Sequence, residues 1–244
     1  MLTTRHLFVY VFGLAVFGCL AAFVVASEWE DKPYTEWSRE ATIAMLTHSP
    51  WASREVVYEE SSVGDSSAGG SIVPGENNSN SSGSQSGPAG GVKKARTYSI
   101  TFMSARPIRM ALARWALLTG NVTTARAEQY LAYNPFRDAI VVAVAVPPDQ
   151  DASELENAEL ERLQQTTFLH LKKSDRKLAP VQYIPPSRSG DNGGLFFFPG
   201  TEDGRPTVTL EEEQIRFETT IGAGTKLGEE FRLDQMVFKG ELEL

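Results

Sequence analysis

The chain reads as an α+β domain with a largely antiparallel sheet and two to three helices, preceded by an export or anchor helix, a short helix and a disordered linker. Three observations predict this class. Helical periodicity comes early, over residues 36–47, 104–118 and 123–133, whereas short β-branched runs separated by turn residues fill most of the second half. One such run, "DAIVVAVAVPP", is continuous and apolar, as expected of a central strand buried on both faces. Residues 95–244 also form a stretch of about 150 residues, the usual size for one hydrophobic core.

The elements follow in order. Residues 1–26 carry Arg5 and His6, an uncharged apolar run from Leu7 to Val25, and a small-residue exit at Ala26-Ser27 before Glu28, Glu30 and Asp31. A basic start, an apolar middle and a small-residue end are the layout of an export signal, with Val24 and Ala26 fitting the signal peptidase. The run is near the roughly 20 residues that a helix needs to cross a bilayer, so retention as an anchor is a second reading. Arg5 would then stay inside and residues 27–244 outside. A third is lipidation of Cys19 in "VFGC" after cleavage at Gly18. All three place the rest of the chain outside the cytoplasm, in the periplasm or on the outer side of a bacterial membrane.

The segment 32–52 holds one short helix, capped by Thr35 or Ser38, with Trp37, Ala41, Ala44, Met45 and His48 near one face and Pro50 as its stop. A lone amphipathic helix cannot cover its own apolar face, so it packs on the main domain or docks on a partner. Residues 61–94 are Ser, Gly, Asn and Pro with few large apolar side chains, a linker that cannot offset its own ordering entropy. Its sequons at Asn77 and Asn80, like that at Asn121, are chance matches in a bacterial context.

In the domain itself, "RTYSITFMSA" alternates as a half-buried strand with Tyr98, Ile100 and Phe102 on one side. Ser104 is positioned to cap a helix that runs through Pro107 to Leu118 and ends at Gly120; Thr123 or Thr124 restarts one to Tyr133, closed by Asn134-Pro135. A charged helix is expected over Asp151–Gln165, with Ser153 and Glu156 as a capping box. Strands are expected over 168–172, 181–184, 195–198, 214–220, 229–233 and 236–244, and "IGAGT" at 221–225 as a turn.

Composition narrows the function. The chain carries 23 basic and 31 acidic residues, a net charge of -8, and the only local basic excess is Lys93, Lys94 and Arg96. Nucleic acid is therefore excluded as a partner, since counterion release needs a clustered basic surface. Cys19 is the only cysteine, so the exported part has neither disulfide nor thiol nucleophile. No zinc, Walker, dinucleotide-binding or serine-elbow motif occurs, and no cofactor or metal is expected. Neither His48 nor His170 has a second ligand at metal spacing, and Glu211–Glu213 reads as a solvated turn.

Two clusters stand out. In "SARPIRMALAR", Arg106, Arg109 and further along Arg114 lie in the first turns of a helix, where free N–H groups and the dipole favour an anion. The competing reading pairs these arginines with the abundant carboxylates. In "GGLFFFPG", Phe196, Phe197 and Phe198 cannot all face one side of a sheet, so a second layer or a partner covers part of the run. With Trp37 and Trp51 they are the candidate interface.

The strings "KPYTEWS" (32–38), "SPWA" (49–52), "SARPIR" (104–109), "LFFFPG" (195–200) and "MVFKGELEL" (236–244) resemble a group of uncharacterised exported proteins from acidobacteria. The resemblance implies an envelope location and assigns no catalytic residue. The resulting expectation is a non-enzymatic envelope module that binds a partner protein or contributes to an assembly, with the membrane contacted through residues 7–25 if they are retained. The alternative is an envelope hydrolase with a site near His170 or Arg106 and Arg109.

Overall fold

The computed structural model describes residues 28–59, 94–136, 138–190 and 192–244. The N-terminal segment with Cys19, and the linker up to residue 93, lie outside the described residues. Among those described, no helix is long and apolar enough to cross a membrane.

The chain opens with α1 (Glu28–Asp31), a 3-10 turn at Tyr34–Glu36 and α2 (Arg39–Thr47). Ser38 caps α2, its side chain accepting from Ala41 N, while Thr35 falls within the 3-10 turn that precedes it. Trp37, Ala41 and Met45 are fully buried, and α2 packs on α3 (Arg106–Leu118), so the face of the short helix is used within the chain. Strand β1 (Ala52–Glu59) follows and pairs antiparallel with β2 (Lys94–Phe102), in register from Ala52↔Thr101 to Glu59↔Lys94. Strand β1 is not among those expected from the sequence, although "REVVYE" has strand propensity. The chain thus leaves β1 and enters β2 at the two ends of one rung, Glu59↔Lys94, so the intervening segment joins two strands of one sheet and does not separate two units.

After β2 come α3 (Arg106–Leu118), α4 (Thr124–Ala132) and β3 (Ala139–Ala145). Ser104 does not cap α3; its Oγ accepts from Val141 N at 2.8 Å, tying the end of β2 to β3. The helix starts instead after Ala105 with Pro107 in its first turn, and ends at Gly120, whose φ of 71° suits a residue without Cβ. Thr123 caps α4 by accepting from Arg126 N. The expected central strand is present: β3 is third of five, with Ile140 to Ala145 buried.

The expected helix over 151–165 breaks into α5 (Ser153–Glu156) and α6 (Leu160–Thr166). The capping box does not form, because Asp151 accepts from both Ser153 N and Ser153 Oγ. Next are β4 (Phe168–Leu171), β5 (Arg176–Leu178), β6 (Gln182–Ile184), α7 (Pro186–Ser189), β7 (Gly193–Pro199) and the hairpin β8 (Thr201–Glu202) with β9 (Arg205–Pro206). A 3-10 turn at Leu210–Glu212 leads into β10 (Gln214–Ile221), β11 (Thr225–Arg232), β12 (Val237–Phe238) and β13 (Glu241–Leu242). The expected terminal strand is therefore a hairpin, turned at Lys239 and Gly240, both with positive φ.

The strands form a five-stranded sheet, β1-β2-β3-β7-β6, and a four-stranded one, β11-β10-β4-β5, with every pairing antiparallel. Phenylalanines join them. Alternation along β7 sends Phe196 and Phe198 against Phe217 of the second sheet, at ring separations of 5.8 and 6.3 Å, and Phe102 meets Phe231 at 4.8 Å. Phe197 points the other way, toward Phe136 after α4. Close strand approach explains the glycine pair before the run: a Cβ on Gly193 would lie 2.7 Å from Ala145 Cβ, and one on Gly194 would run into the Tyr183 ring.

Candidate functional site: a buried arginine at the start of α3

Helix α3 is apolar on nearly every side, with Pro107 to Ala113 all buried, as suits a helix enclosed by its neighbours. One charged residue shares that burial. Arg109, one turn after Arg106, is only 6% exposed, and its Nε and Nη1 find no hydrogen-bond partner among the described residues. The Tyr130 hydroxyl, on α4, is also buried without a partner. Leaving such donors unsatisfied costs about 1–3 kcal/mol each, more when the group is charged.

Arg109 lines a cleft of about 540 Å³ together with Tyr34, Arg106, Glu128, Asn134 and Glu243. The walls come from opposite ends of the chain. Tyr34 arrives on the 3-10 turn before α2 and donates to Glu128 Oε1 at 2.8 Å. Glu243 arrives on the C-terminal tail, which Trp51 holds by donating Nε1 to the Glu243 carbonyl at 2.8 Å. Its side chain accepts from Arg106 N at 3.1 Å, so a carboxylate of the chain itself occupies one free N–H of the helix start. Arg109 forms no ion pair with it among the described residues.

Burial dominates the electrostatics. It lowers the Arg109 pKa below the usual guanidinium value, opposed by the charges of Tyr130 and Glu243 and reinforced by Arg106. The Tyr130 hydroxyl is pushed up to about 12 by burial, with Arg109 pulling it back. Tyr34 is likewise pushed up to about 12, by burial first and then by its bond to Glu128. The Glu243 carboxyl is raised by burial, against the Arg106 N–H and the charges of Arg106 and Arg109. Arg109, Tyr130, Tyr34 and Glu243 are thus each drawn toward the neutral form, and an incoming anion would supply what Arg109 lacks.

Other residues singled out in the sequence lie elsewhere. Arg114 donates Nε to the Trp37 carbonyl at 2.8 Å and holds the start of α2 on α3. Arg96 pairs with Glu154 at 3.5 Å, which places it in the fold rather than in a basic patch. His170 Nε2 lies 2.7 Å from Asp175 Oδ1 across the β4–β5 hairpin, but Asp175 is 88% exposed and neither residue lines the cleft. The exposed His48 ring lies 2.9 Å from Thr47 Oγ1, and no metal-binding cluster occurs among the described residues. The aromatic interface needs correction: Trp37, Trp51, Phe196 and Phe198 are buried and Phe197 is half-covered, because the second sheet and Phe136 already supply the layer that a partner would. Sequence reading found Arg106 and Arg109 but not Tyr34, Tyr130, Asn134 or Glu243, which no local spacing connects to them.

Comparison of the chain with models of known protein families, with curated proteins and with solved structures gives no match.

Proposed function

We propose that this is an exported, non-enzymatic binding module whose ligand carries an anionic group bound at Arg109. One observation carries the reading: a guanidinium more than nine-tenths buried, with Nε and Nη1 unpartnered, lines an accessible cleft beside a helix start. A purely structural arginine at that depth would be tied to a carboxylate, as Arg114 is tied to a carbonyl. Among the described residues the cleft holds no nucleophile–base pair, which favours binding over hydrolysis, and His170 lies on β4 away from it with an exposed carboxylate as its partner.

Calorimetric titration of the purified protein with acetate and with inorganic phosphate tests the binding. Saturable heat with either anion, reduced at least tenfold in affinity by Arg109→Met, is expected; no binding, or equal binding by the variant, overturns the reading. Export rests on the N-terminal segment and on the acidobacterial resemblance. Mass spectrometry of the N-terminus from native envelope fractions is expected to give a start at Ser27, a lipid on Cys19 or an intact Met1. Recovery in the cytoplasm alone contradicts it.

A further inference from the structure

A second cleft, of about 580 Å³, is lined by Phe136, Ile140, Val208, Leu210, Leu242 and Leu244 among others, and Asn134 and Glu243 belong to its walls as well as to those of the first. The two differ in chemistry. The first holds Arg109 and Arg106 beside Glu128 and Glu243; the second has no cation, and its larger apolar residues stand among Ser104, Thr209, Glu211 and Glu243. Leu210, on the 3-10 turn before β10, is 48% exposed, one of the few large apolar side chains left open among the described residues. At the shared edge, Asn134 Oδ1 accepts from Phe136 N at 3.0 Å, which commits the oxygen and leaves Nδ2 as the remaining donor.

From this juxtaposition we infer that the ligand is an amphiphilic monoanion, a carboxylate head at Arg109 with a linear apolar chain running past Asn134 into the second cleft. The inference rests on the anion-binding reading above and names its ligand class. Three features support it. The Arg109 Nε is unpartnered, and with Nη2 it forms the side-on two-donor edge that a carboxylate matches. Glu128 and Glu243 in the same walls oppose a dianion more than a monoanion, so a carboxylate fits better than a phosphate monoester. The two clefts meet at Asn134 and Glu243, so a chain anchored at Arg109 reaches Phe136, Ile140, Val208 and Leu210 past that edge, and one fixed polar anchor beside larger apolar side chains is the ordinary build of a small-molecule site.

Titration calorimetry on the full chain with acetate, octanoate below its micelle concentration, octanol and octyl phosphate tests the inference. Octanoate is expected to bind more tightly than acetate by about fourfold for each methylene that reaches the second cleft. Leu210→Ser, at a half-exposed position that leaves the core intact, is expected to weaken octanoate by about fivefold and to leave acetate unchanged. Octanoate and acetate of equal affinity overturn the apolar arm and leave the anion-binding reading standing. Octanol binding as tightly as octanoate, or octyl phosphate more tightly, overturns the carboxylate head. Failure of every anion to bind removes the underlying reading as well.

Discussion

Replacing Arg109 by methionine separates a functional arginine from a structural one. Methionine keeps an unbranched stem and nearly the same helix propensity, so the change removes chiefly the guanidinium. In the unliganded protein that group is buried, with Nε and Nη1 unsatisfied, and its remaining electrostatic support is the longer-range field of Glu243. An unsatisfied buried donor costs about 1–3 kcal/mol. Part of the gain on removing it is returned, because Glu243 loses a favourable charge and its carboxyl rises further. The net expectation is a variant as stable as the parent or up to about 2 kcal/mol more stable, a rise of up to roughly 8 °C in Tm at this chain length. Urea and thermal unfolding in buffer free of carboxylate and phosphate measure it. A loss of about 3–5 kcal/mol, the usual result of breaking a buried ion pair, would refute the reasoning, since Arg109 would then hold the fold together.

Three further outcomes are expected. Because burial raises the Glu243 pKa above its ordinary 4.5, its contribution to stability is complete below that value and is lost as pH rises through the raised one; Glu243→Gln should flatten this part of the pH–stability profile measured by urea unfolding, and should tighten acetate binding at pH 7 by removing a competing carboxylate. Trp37→Ala should cost about 3–5 kcal/mol in the same assay, because the ring is fully buried between α2 and the domain; a cost below about 1 kcal/mol would mean that the N-terminal segment is not part of the core. His170→Ala should stay within about 0.5 kcal/mol and leave anion titrations unchanged, its partner being a solvent-exposed carboxylate.

Local signals carried much of the fold. The apolar run of β3, the alternation in β2, the Thr123 cap and the Gly120 stop are each written within a few residues, so they were legible. What was missed depends on distance along the chain. Strand β1 borders a linker whose composition masks it, and only pairing with β2 gives it a role. The break between α5 and α6 and the folding back of the last residues at Lys239-Gly240 answer to packing rather than to propensity. Alternation alone leaves the cover of Phe196 and Phe198 undecided between a second layer and a partner, because their burial depends on the second sheet. Arg106 and Arg109 were visible as a helix-start pair, but their difference was not: Arg106 is exposed, and Arg109 is covered by α4 and by a tail held to Trp51 across most of the chain.

The central claim is that the Arg109 guanidinium itself receives the ligand's anion, and the ¹⁵N–¹H resonance of its side-chain Nε–H tests that most directly. Assigned by its disappearance in Arg109→Lys and followed during titration with octanoate, this one arginine signal should move downfield and saturate as Nε gains a charged acceptor, while the Arg114 signal, already bonded to the Trp37 carbonyl, stays in place. A titration in which the Arg109 signal does not move, or in which all arginine signals drift together without saturation, contradicts the account.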